Sequence, residues 1–76
     1  MIHEADKELK AVWRDRFSAL PADSRAALRD ALLALRRDAL ARAQLQWQRH
    51  KAPMALYWKV VGVYAGHLAR ALKSYP

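Results

Sequence analysis

Residues 21–53 read PADSRAALRDALLALRRDALARAQLQWQRHKAP, and between Pro21 and Pro53 they hold neither proline nor glycine. Nothing in that run breaks a helix, and its alanine, leucine, arginine and glutamine favour one. Asp23 or Ser24 can cap the free amides at its start, or Pro21 can occupy its first turn. The stretch predicts one helix from about residue 23 to about residue 50, a rod of roughly 40 Å at the helical rise. That is long for a chain of 76 residues. What covers the rod becomes the central question.

The rod carries two apolar seams. Leu28, Leu32, Leu35, Ala39 and Ala43 recur at three- and four-residue steps. Leu33, Leu40 and Trp47 recur at seven-residue steps, about a third of a turn away. Two seams need two partners. Flanking helices of the same chain supply both in an up-down-up three-helix bundle. Alternatively, a second copy covers Leu40 and Trp47, and a helical hairpin with a long central helix is completed by dimerisation. Either way the fold is all-α, a single helical domain over residues 1–76.

The flanks read as helices too. Residues 2–19 carry Ile2, Ala5, Leu9, Val12, Trp13, Phe17 and Leu20 at helical spacing, with Glu4, Asp6 and Glu8 at the positive end of the dipole. Pro21 then ends the pattern by restricting Leu20. A third helix is expected over residues 53–74, with Pro53 in its first turn. Its stripe is Tyr57, Val61, Tyr64, Leu68, Leu72 and Tyr75. Gly62 and Gly66 each cost this helix about 1 kcal/mol relative to alanine, which marks a close approach of another backbone. Alanine, leucine and arginine supply 36 of the 76 residues, whereas Ile2, Val12, Val60, Val61 and Val63 are the only β-branched ones. Strands are not expected.

Charge divides the chain in half. All seven carboxylates lie at or before Asp38, while Arg42, Arg49, Lys51, Lys59, Arg70 and Lys73 follow it, and the net charge is +7. A small basic helical protein of this kind is built to hold something. Cysteine is absent, which removes disulfides and fits a reducing compartment. The N-terminus is polar and acidic rather than a secretory signal, so a cytoplasmic location is expected. Met54–Leu72 is the most apolar stretch, but Lys59, His67 and Arg70 interrupt it, which argues against a membrane.

Catalysis finds little support. Ser18, Ser24 and Ser74 lie in no nucleophile pattern, and Asp38 is placed to pair with Arg42 one turn on. His3, His50 and His67 are scattered and lack ligand spacing. No enzyme activity, cofactor or metal is expected.

Two binding readings remain. Tryptophan, tyrosine and arginine dominate protein–protein contacts. Trp47, beside Leu40 and the Gln44–His50 strip that contains Gln48 and Arg49, is the leading contact candidate. Trp13 and Trp58 read as core. The expectation is a small protein-binding regulator, adaptor or inhibitor, and the Ala/Arg-rich make-up fits a phage- or plasmid-borne accessory protein. The rival reading is nucleic-acid binding. Arg25, Arg29 and Arg36 share one side of the second helix, and Lys59, His67, Arg70 and Lys73 a side of the third, placed to meet phosphates. Residues 54–73, centred on Gly62-Val-Tyr-Ala-Gly66, resemble the helix-turn-helix of DNA-reading proteins. The resemblance implies a turn at Gly62 and a recognition helix bearing His67, Arg70 and Lys73. Trp58 stands where that pattern has a small residue, and Tyr64 where it has a polar turn residue. A continuous third helix is the alternative.

Overall fold

The computed structural model describes residues 4–73; Ile2, His3, Ser74 and Tyr75 lie outside the described residues. Three helices follow one another: α1 (Glu4–Phe17), α2 (Ala22–Gln48) and α3 (Ala52–Ala71). Among the described residues there is no strand.

The corner between α1 and α2 is set by Pro21. Its backbone is extended (φ −56°, ψ 154°), and its carbonyl accepts the Arg25 amide at 3.0 Å as the first helical bond. Asp23 accepts from the neighbouring Ser24 amide, so neither residue is the cap. The Arg25 guanidinium donates to the Leu20 carbonyl at 2.7 Å and ties the corner down.

The corner between α2 and α3 is tighter. Arg49 ends the helix, and His50 takes the left-handed conformation (φ 60°). The chain then folds back so that the Lys51 amide donates to Gln46 at 2.9 Å and the His50 amide to Trp47 at 3.0 Å. These bonds satisfy carbonyls that the helix end leaves open. Pro53 follows in the first turn of α3, where its missing amide hydrogen costs nothing.

α2 is unbroken over 27 residues, as the run between the prolines requires. α3 is unbroken as well, with Gly62 and Gly66 inside it. The turn implied by the helix-turn-helix resemblance is therefore not formed. Gly62 is used for contact instead: a Cβ there would lie 2.9 Å from Leu40 Cδ2 and 3.5 Å from the Ala39 Cβ. At Gly66 a Cβ would lie 3.2 Å from Arg36 Cδ and Nε. Two helices approach closely because α3 offers no side chain at those points.

Most of the packing joins α2 to α3; α1 lies against α3 and only grazes α2. The face of α3 that is used corrects the expected stripe in part: Leu72 is buried and Val61 and Leu68 are half-buried as expected, but Tyr57 and Tyr64 are not. Ala55, Gly62, Ala65, Gly66 and Ala69 are buried, whereas Tyr57 and Tyr64 are 56% and 53% exposed. Leu28 and Leu35 of the first α2 seam stay largely exposed, because α1 leans away from them. Trp13 is exposed too, against the core role expected of it. Trp58 is half-buried under the Arg42 guanidinium, 5.1 Å from the ring centroid. Arg42 also pairs with Asp38 at 2.8 Å.

The result is a thin slab with Cα extents of 44 × 27 × 16 Å. Its radius of gyration is 14.1 Å, against about 11 Å for a compact domain of this length. Among the described residues the buried apolar side chains are alanines and Leu72, and none of the larger ones is fully buried.

Candidate functional site

The hairpin end of the slab holds the most developed concavity. The last turns of α2 and the first turns of α3 enclose an open groove of about 560 Å³. Its walls include Leu40 and Trp47 from α2, and Ala52, Ala55, Leu56 and Lys59 from α3. Small alanines on α3 leave the space. Leu40, wedged over Gly62, forms the inner wall, while Trp47 and Leu56 stand 64% and 63% exposed at the edges.

Trp47 is held firmly at its backbone. Its carbonyl accepts the His50 amide in the closure of α2, so the indole projects from a fixed point. A second depression of about 520 Å³ lies on its other side, lined by Trp47, Gln48, His50 and Ala52. The indole is thus a blade between two open surfaces. Of the contact residues expected from sequence, Leu40, Trp47 and Gln48 come together here. Arg49 is exposed at the end of α2, in neither concavity. Lys59 is the charged side chain in the groove lining; Arg49 and Lys51 belong to the turn that joins the two helices, and no carboxylate side chain lies between Ala39 and Lys73 in the sequence.

The expected basic surface is divided. Arg25 and Arg29 meet Lys73 around a depression of about 270 Å³ where α2 begins and α3 ends, with Asp30 and Leu72 beside them. Arg14 and Phe17 of α1, with Ser18 just after it, adjoin it. Arg29 Nε is buried there without a hydrogen-bond partner. Arg36 is elsewhere, its stem crossing Gly66. Lys59 belongs to the groove, about 20 Å of helix from Lys73. His67 is half-buried, its ring 6.1 Å from that of Tyr64, and Arg70 is exposed. The seven candidate phosphate contacts are not one surface.

Among the described residues no group of three histidine, aspartate or glutamate side chains is placed to hold a metal. Nor is any helix there long and apolar enough to cross a membrane. Comparisons with protein-family models, curated proteins and solved structures give no match.

Sequence reasoning found the α2 wall of the groove and missed the α3 wall. Leu56 and Lys59 carried no mark of it except their place just after Pro53, where a chain reversal brings them beside Trp47. The open stripe of α3 was missed as well, since periodicity alone assigned Tyr57 and Tyr64 to the interior.

Proposed function

We propose that this chain is a non-catalytic protein-binding module, and that its hairpin-end groove takes a short amphipathic helix with acidic flanks. One observation carries the reading: a mostly exposed tryptophan, fixed at its backbone, beside an apolar groove whose one charged lining residue is Lys59. Exposed aromatic anchors in desolvatable pockets supply most of the energy in such contacts, and helix-in-groove docking places apolar residues at helical spacing. Charge complementarity adds rate and orientation. Binding through such a surface fits a role as a regulator, adaptor or inhibitor.

A pull-down from the native host, with helicity checked in parallel, tests the proposal. Trp47→Ala and Leu56→Asp are expected to lose the same partner that the parent retains. Retention of that partner by both variants would remove the groove from consideration.

A second reading rests on a different feature. Arg25, Arg29 and Lys73 surround one depression, with Arg29 Nε unpartnered, and such a cluster fits a phosphate group. Binding of a duplex or single-stranded probe at low salt, lost in Arg29→Ala, supports it. Indifference to both probes at low salt rejects it.

A further inference from the structure

On the face of α3 turned away from α2, α1 packs toward the last turns, where Ala71 is buried, and the described residues leave the earlier turns open. Leu56, Tyr57, Val60, Val63 and Tyr64 recur there at helical spacing, and every one is more than two-fifths exposed. With Ala55, Gly62, Gly66 and Ala69 buried on another face, α3 is apolar nearly all round. A helix of that kind belongs in the middle of a structure rather than at its edge. In this slab it packs against both α2 and α1, yet this stripe of it stays open.

We propose that this stripe packs against the same stripe of a second copy, across a two-fold axis near Val60. Three observations select a second copy over another occupant. First, the described residues form little interior: the buried apolar ones are alanines and Leu72. A chain of this size without cysteine gains stability from association, and only its own copies are always present. Second, the protomer exposes 5841 Å², about 1,100 Å² more than a compact monomer of this mass. A standard interface takes about 800 Å² from each partner. Third, the stripe is uncharged in a protein of net charge +7. An isologous contact brings each residue near its own counterpart, so a self-pairing face on so basic a chain has to exclude lysine and arginine. Lys59 and Arg70 fall off its centre line.

The geometry differs from a dimer through the second α2 seam. Leu40 is occupied by Gly62 of its own chain, and Trp47 stays in the groove. Leu56 is where the two surfaces meet. The α3 helices would lie at the centre of a six-helix assembly, with the grooves at its outer ends.

Sedimentation of the parent and of Val60→Asp tests the assignment. The parent is expected at twice the mass of the chain, with a melting temperature that rises with concentration. Val60→Asp places like charges face to face in a desolvated contact, which weakens association about 100-fold or more. Since Val60 is nearly half exposed in the protomer, helicity at matched concentration separates lost association from misfolding. The chain has no cysteine, so Val60→Cys and Val63→Cys are clean reporters and are expected to form disulfide-linked dimers under mild oxidation. Ala34→Cys, exposed on α2, is not. A parent that remains monomeric at about millimolar concentration, or a dimer untouched by Val60→Asp and cross-linked by neither reporter, overturns the proposal. Leu56→Asp touches both surfaces, whereas Trp47→Ala leaves the dimer intact, so Trp47→Ala is the variant that separates the groove from this stripe.

Discussion

At the scale of single residues, backbone conformation matters at His50 and space at Gly62 and Gly66. His50 adopts a left-handed conformation that costs a side-chain-bearing residue about 1 kcal/mol and glycine almost nothing. His50→Gly keeps the closure bonds to Trp47 and removes that cost, less the entropy glycine adds to the unfolded chain. The variant is expected to be more stable by about 0.5–1 kcal/mol, seen as a rise of a few degrees in thermal melting. A lower melting temperature means that the imidazole contributes contacts at the corner.

Gly62 and Gly66 lie in helical backbone, so only space distinguishes them. A methyl group at Gly66 meets the flexible Arg36 stem at 3.2 Å, which can move aside. Gly66→Ala is expected to gain about 0.5–1 kcal/mol in helix propensity. At Gly62 the methyl meets Leu40 at 2.9 Å and Ala39 behind it. Gly62→Ala is expected to cost about 1–2 kcal/mol net, as overpacking does. Chemical denaturation of the two variants side by side decides the matter, and equal effects contradict the close approach at Gly62.

At the scale of elements, the prolines and the periodicity were legible because they act locally. Pro21 and Pro53 bound α2 wherever the rest of the chain lies, and the absence of a breaker between them predicts the observed rod. Which face of each helix is used was not legible. Hydropathy ranks Tyr57 and Tyr64 as interior residues, but close helix pairing selects small side chains, and Ala55, Gly62, Gly66 and Ala69 won. A helix with apolar residues on several faces has no single stripe for periodicity to find. The groove was half legible for the same reason. Leu40 and Trp47 share a seven-residue step on one helix, while Leu56 and Lys59 reach it only through the reversal at His50.

Trp58 gives the element scale its own test. It lies under Arg42, which Asp38 holds from one turn away. The exposed ion pair contributes about 0.3–0.5 kcal/mol, and a partly desolvated cation–ring contact about 0.5–1 kcal/mol. Arg42→Ala is expected to lower stability by about 1 kcal/mol and Asp38→Ala by less than half of that, in urea melts at low salt. Equal losses assign the whole effect to the ion pair and leave the ring contact without energy.

At the scale of the whole molecule, charge and apolar surface pull in opposite directions. Each protomer carries +7, so bringing two together through α3 raises the electrostatic free energy while burying the Tyr57–Tyr64 stripe lowers the total. Added salt screens the first term within about 10 Å at 0.1 M and leaves the second nearly unchanged. Self-association is therefore expected to tighten as salt rises. Phosphate binding at the Arg25, Arg29 and Lys73 depression has the reverse sign, because released counterions drive it. With three cations engaged, the logarithm of affinity falls against the logarithm of salt with a slope of about −2 to −3. Docking of an acidic helix in the groove weakens with salt more gently, since Trp47 and Leu56 supply apolar contact that screening does not reach. One salt series read by sedimentation, by a nucleic-acid probe and by partner capture thus assigns each surface its own slope. A self-association constant that falls with salt means charged groups hold the copies together, and the uncharged α3 stripe is then not the contact.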